Sequence, residues 1–179
     1  MALGTGYAQQ DCNLARALEV VGERWTMLVL RDCFYGVGRF GDLLAHLDIS
    51  RAVLTDRLAS LVAAGVLERR VEGGYPAYGL TEAGIALWPT LYGLLRWGSR
   101  YAPGAGPPPR TFVHGVCETE LDENGRCPRC GRLPRPEDVV SVPAAGATTD
   151  RSDPVSRALL EPRRLLSPLE TSARFTGGG

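Results

Sequence analysis

Between residues 48 and 81 the chain sets a capped, arginine-bearing amphipathic helix directly before two short strands, an order that few folds accommodate. Ser50 precedes a run in which Leu54, Leu58, Leu61 and Val62 recur at i, i+4, i+7 and i+8, so the four share one face. Its hydroxyl oxygen suits an N-cap, accepting from a backbone N–H that the first turn leaves unpaired, and Gly65 stands where a C-terminal cap is expected. Upstream, Phe40, Leu43, Leu44 and Leu47 form a second short apolar stripe, with only a tight connection around Asp48 and Ile49 between the two. Downstream, residues 66–71 read as a strand, Gly73-Gly74 as its turn and residues 75–80 as the returning strand.

Two short helices joined by a tight turn make a helix-turn-helix unit, and a hairpin against its second helix is a wing. The expected fold is mainly α with a small β-hairpin: a winged helix-turn-helix. That architecture points to double-stranded DNA, with the helix at about residues 50–64 in the major groove.

The same residues resemble the HxlR-type transcriptional regulators, whose architecture is similar to that of the MarR regulators. The resemblance runs through Asp11-Cys12, Leu18-Glu19-Val20-Val21-Gly22-Glu23-Arg24-Trp25, Arg39-Phe40, Leu54-Thr55-Asp56-Arg57-Leu58, Leu61, Ala64-Gly65-Val66-Leu67-Glu68-Arg69, Tyr78 and Leu80-Thr81-Glu82-Ala83-Gly84. It covers roughly residues 11–102 in register, which no single short motif would do by accident. It implies a sequence-specific regulator acting as a homodimer, as repressor or activator, under a small-molecule or oxidant effector. One departure stands out. The family's wing is usually longer and often basic, whereas Glu72-Gly73-Gly74-Tyr75-Pro76-Ala77 carries no positive charge at its tip.

Charge sets a second constraint. The 179 residues carry 20 basic and 20 acidic groups, and every basic group is an arginine. From Arg39 to Tyr75 the five arginines are balanced by five acids, so non-specific affinity for phosphate is expected to be modest. Affinity would then come from pairing two helices in a dimer and from particular residues. With Leu54, Leu58 and Leu61 inward, the start of the helix presents Ser50, Arg51, Ala52 and Thr55. Arginine reads guanine with two hydrogen bonds, and threonine and alanine can meet the methyl group of thymine, so Arg51 is the leading candidate for base readout. Arg57, beside Asp56, reads either as a phosphate contact or as half of a local ion pair. Arg39 precedes the first helix of the motif, where a phosphate contact is expected.

The longest apolar segment, residues 85–101, is interrupted by Pro89 and Arg96 and is too short for a membrane span. No basic start followed by an apolar run and a cleavage site opens the chain, so no membrane partner and a cytoplasmic location are expected. Leu87, Leu91, Leu94, Leu95 and Gly98 mark one broad face of that segment, flanked by Trp88 and Trp97, and such a face needs a cover. The resemblance implies that this helix and the one at about residues 13–21 pack around a twofold axis.

Beyond a Pro/Gly linker at residues 103–110, His114, Cys117, Cys127 and Cys130 follow as H-x2-C-x9-C-x2-C. Two residues between ligands let one metal bridge each pair, and Gly131 allows the tight turn after the second pair, so residues 111–140 are predicted to hold structural zinc in a ribbon-like module. Reduced structural cysteines and a Cys127–Cys130 redox pair are the other readings. Cys33, in an apolar helical run, is expected in the core. Cys12, at the start of the first helix, aligns with a cysteine that senses oxidants in some relatives and is structural in others. Nothing joins the two histidines to a nucleophile or a phosphate loop, so neither catalysis nor an organic cofactor is expected, and His46 reads as a surface residue. From residue 141 to 179 the Ala, Gly, Pro, Ser and Thr content predicts a disordered tail. The functional alternative is a zinc-bearing interaction or thiol-redox protein using the winged domain as a dimer scaffold.

Overall fold

The computed structural model describes residues 6–7, 9–72, 74–104 and 106–171. Four helices come first: α1 (Asn13–Val21), α2 (Thr26–Phe34), α3 (Phe40–Leu47) and α4 (Arg51–Ala63). The α3–α4 turn is made by Asp48 in the left-handed conformation (φ 53°), a role its short polar side chain tolerates. Ser50 then caps α4, its Oγ accepting from the Val53 N–H at 3.2 Å. Gly65 (φ 70°) ends the helix as its sequence position suggests: its own N–H reaches the Val62 carbonyl at 3.0 Å and the Val66 N–H reaches that of Leu61 at 2.9 Å.

The hairpin of β1 (Leu67–Glu72) and β2 (Tyr75–Leu80) is antiparallel, with Leu67 opposite Leu80 and Val71 opposite Pro76. Gly73 of the expected turn lies outside the described residues, and Gly74 takes φ 84°. Thr81 locks the hairpin to the short helix α5 (Glu82–Ile85). Its hydroxyl donates to the Gly65 carbonyl at 2.6 Å and accepts from the Gly84 N–H at 3.2 Å, capping that helix. A Cβ on Gly84 would stand 2.3 Å from the Val66 carbonyl oxygen, so this corner admits no larger residue.

The long helix α6 (Trp88–Tyr101) starts with Pro89 in its first turn, where the missing N–H costs nothing. Trp88 meets Phe34 of α2 (centroids 5.2 Å apart) and Phe112 (5.3 Å), and Tyr92 meets Phe112 (5.7 Å). This aromatic cluster joins the helical part to a four-stranded antiparallel sheet, ordered β4 (Thr119–Glu120), β3 (Arg110–His114), β5 (Val139–Pro143) and β6 (Arg163–Arg164). One core runs through both parts, from Leu54 and Leu58 to Val139 and Leu165.

Here the structure corrects the sequence reading. The stretch from residue 141 to 171, expected to be disordered, is folded. It completes β5, forms α7 (Pro154–Ala158) under an Asp153 N-cap, adds β6, and buries Val155, Leu159, Leu165 and Leu169. The Leu166 N–H bonds the Phe34 carbonyl at 2.8 Å and the Leu169 N–H that of Gly36 at 2.9 Å, so the segment straps the end of α2. Average composition is a poor guide here because four well-spaced apolar residues find partners that lie far away in sequence. Residues 172–179 of the expected tail lie outside the described residues. Among the described residues no helix is long and apolar enough to cross a membrane.

Candidate nucleic-acid interface and metal centre

The helix α4 turns Leu54, Leu58 and Leu61 fully into the core and leaves Ser50, Arg51, Ala52 and Thr55 exposed. That split follows from the 3.6-residue repeat alone. Arg51 makes no ion pair among the described residues; its guanidinium instead lies over the Phe40 ring, 5.2 Å from the centroid. Arg39 is exposed at the N-cap of α3, and its backbone bridges to Ala77 of the wing.

Arg57 differs from the others. Its side chain is only 18% exposed and pairs with Asp56 and, at 3.4 Å, with Glu23 ahead of α2. Of the two readings open for this residue, the ion pair is the one the geometry favours. In the wing, Arg70 pairs with Glu68 at 2.9 Å, which leaves Arg69 as the strand cation without a carboxylate partner among the described residues.

His46 is not a surface residue. Its Nδ1 lies 2.7 Å from a carboxylate oxygen of Asp32, which is fully buried and takes the Arg31 guanidinium on its other oxygen at 2.7 Å. The pair is fourteen residues apart in sequence, and no periodicity signals it. Cys33 is in the core as expected, and burial, with the Asp32 charge adding, pushes its thiol well up. Cys12 is exposed at the N-cap of α1 without a side-chain capping bond.

His114, Cys117, Cys127 and Cys130 come together at the far end of the four-stranded sheet, their ligand atoms all within 4.8 Å of one another. Each pair sits on its own tight turn. His114 ends β3 and the chain returns through Cys117, whose N–H bonds the His114 carbonyl at 3.1 Å. Cys127 and Cys130 flank a second turn, closed by the Gly131 N–H to the Cys127 carbonyl at 2.8 Å, with Gly131 at φ 70°. Tetrahedral zinc, with sulfur at about 2.3 Å and nitrogen at about 2.0–2.1 Å, sets sulfur and nitrogen ligands about 3.6 Å apart. Cys130 Sγ and His114 Nδ1 are 3.6 Å apart.

Burial opposes a charged Cys127, but hydrogen bonds from the Cys130 and Arg129 backbone and from His114 outweigh it and bring the thiol to about 6. Burial and its sulfur neighbours push Cys117 up to about 11. Four neutral or anionic donors with no carboxylate among them suit a soft divalent metal, and four protein ligands leave no open position for catalysis. The cluster could therefore hold a metal in a structural role. The Tyr92 hydroxyl donates to the Asp122 carbonyl at 2.8 Å and fastens the module to α6.

A family model of HxlR-like helix-turn-helix proteins matches residues 20–105 of this chain. The HTH-type transcriptional regulator Rv3095 of Mycobacterium tuberculosis is 39% identical over 137 residues, 75% of this chain and 87% of that protein. An alignment spanning three quarters of this chain must run past Cys130 wherever it begins. The HTH-type transcriptional regulator YdeP of Bacillus subtilis is 30% identical over 106 residues, 55% of this chain and 83% of that protein. Among solved structures, the reduced form of the transcriptional regulator YodB from B. subtilis is 25% identical, covers 54% of this chain and 100% of its own, and superposes with a TM-score of 0.47.

Proposed function

Because this chain belongs to the HxlR-like helix-turn-helix family of transcriptional regulators, we propose that it binds operator DNA as a homodimer, with α4 of each copy in a major groove. The observation that carries this is the face of α4. Ser50, Arg51, Ala52 and Thr55 are exposed together at its N-terminal end, and among the described residues no carboxylate pairs with Arg51. Arg51 would read a guanine edge, Thr55 and Ala52 would meet neighbouring bases, and Arg39 with the α3 N-terminus would hold a phosphate. Arg57, bound to Asp56 and Glu23, would brace α4 rather than touch DNA.

The dimer is supported by apolar side chains that the single chain leaves uncovered. Leu14 and Leu18 are exposed one turn apart on α1, and Leu94, Trp97 and Tyr101 form an exposed stripe on α6. An isologous pairing of these helices would bury both sets and set two α4 helices a fixed distance apart. We read the histidine–cysteine cluster as a structural zinc site that fixes the module to α6.

Electrophoretic binding in low salt and light scattering test this jointly. A dimeric mass with selective retention of some DNA sequences is expected. A monomer at micromolar concentration, or equal retention of all sequences, would overturn it.

A further inference from the structure

We propose that the open cavity lined by α2, α6, β3 and the segment leading into α7 binds an amphipathic organic anion: an apolar body carrying one carboxylate. The cavity measures about 470 Å3, within the usual size of small-molecule sites. Its cations are Arg31, Arg96, Arg110 and Arg151, and among the described residues no aspartate or glutamate lines it. Tyr35, Leu95, Phe112 and Leu159 supply an apolar wall.

The arginines are not equivalent. Arg31 pairs with Asp32 and Arg151 with Asp153, so these two add little net charge. Arg96 and Arg110 have no carboxylate partner among the described residues. Arg110 is the more telling. Its Nε donates to Ser141 Oγ at 2.7 Å, Nη1 donates to the Leu159 carbonyl, and the group lies over the Tyr35 ring at 5.4 Å. Nη2 is screened from solvent and has no hydrogen-bond partner among the described residues. A part-buried guanidinium without a counter-ion is unfavourable, and a carboxylate in the cavity supplies the missing negative charge to Arg110 and Arg96 together. The apolar wall argues against a small inorganic anion, and the excess positive charge argues against a cation.

The site also has a way to be felt elsewhere, a step that rests on the DNA reading above. Arg151 lines the cavity and donates from Nη2 to the Ala45 carbonyl of α3 at 2.9 Å, and α7 packs against that same helix. An occupant that draws on Arg151 or α7 moves the helix that leads into α4.

Titration calorimetry on the full chain without DNA tests binding, with 2-naphthoate and its neutral amide, 2-naphthamide, as probes. The expected result is naphthoate binding at least tenfold more tightly than the amide. Arg96→Gln and Arg110→Gln should each weaken naphthoate at least fivefold and leave the amide unchanged. Arg96 has no side-chain bond to lose among the described residues, so its variant stays readable if Arg110→Gln fails to fold. Equal affinity for the two probes, or no naphthoate binding at millimolar concentration, would overturn the site. For the coupling, saturating naphthoate should change the Kd for bound DNA at least threefold, and an unchanged Kd would overturn that part. A protein that binds no DNA even without naphthoate marks a failure of the DNA reading, and the calorimetry stands apart from it.

Discussion

The guanidinium of Arg51 lies over the ring of Phe40, 5.2 Å from its centroid, so the first residue of α4 is held by the first residue of α3. The contact joins the two helices of the motif at their exposed ends. It also keeps a long, flexible side chain near one direction without neutralising it, which lowers the ordering cost when a base edge is met. Arg51→Ala is expected to relax sequence preference and to weaken operator binding by about 1–3 kcal/mol. Arg39→Ala should weaken all sequences alike and flatten the salt dependence. Anisotropy titrations on operator and scrambled DNA at three salt concentrations separate the two. Equal losses on both DNAs for Arg51→Ala would remove it from base readout.

Arg57 gives the matching control. Its pairing with Asp56 and Glu23 ties α4 to the segment ahead of α2. Arg57→Ala should cost stability, about 1 kcal/mol in urea unfolding for a part-buried pair, while the salt slope of DNA binding stays unchanged. A reduced slope would return Arg57 to the phosphate contacts.

Much of this site is legible in the sequence, because what builds it is local. The Ser50 cap, the inward leucines of α4 and the Gly65 terminator are separated by at most fifteen residues, and helical geometry relates them without help from the rest of the chain. The paired knuckles of His114–Cys117 and Cys127–Cys130 are equally local, and only their approach to one another needs the fold. The Asp32–His46 bond and the strap that Leu165 to Leu169 lay on α2 are different. Each joins residues whose neighbours in sequence announce nothing, and each depends on non-local closure that composition averages away.

The strap makes its own prediction. A Cβ at Gly36 would stand 1.9 Å from the Ser167 carbonyl oxygen, and Gly36 takes φ 83°. Gly36→Ala should therefore destabilise through both the contact and the left-handed backbone, the latter alone by about 1–2 kcal/mol. Leu165→Ala, at a fully buried position, should cost about 2–5 kcal/mol. Both are measured by urea unfolding, and limited proteolysis should cut the Gly36→Ala chain beyond residue 143 first. Wild-type stability in both variants would return this segment to a disordered tail.

Removal of metal should loosen the module from α6. Purification without chelator is expected to give about one zinc per chain, and a strong chelator or Cys127→Ser should lower the thermal midpoint while α1–α4 retain their helical signal. Less than about a tenth of a zinc per chain would return the four residues to a metal-free role.

The exposed stripe of Leu94, Trp97 and Tyr101 is expected to be covered by a second copy. Trp97→Asp should turn a dimeric mass into a monomeric one in light scattering and abolish operator binding without unfolding the chain. A dimer that survives the substitution would place the twofold contact elsewhere.

A regulator built this way must select a DNA sequence. Repeated selection from a random duplex pool, performed in parallel with wild type and Arg51→Ala, measures that directly. Wild type is expected to enrich an inverted repeat whose half-sites lie about one helical turn, or a multiple of it, apart, and Arg51→Ala to lose preference at one position in each half-site. A pool that remains random after wild-type selection, or an identical motif enriched by both proteins, would contradict it.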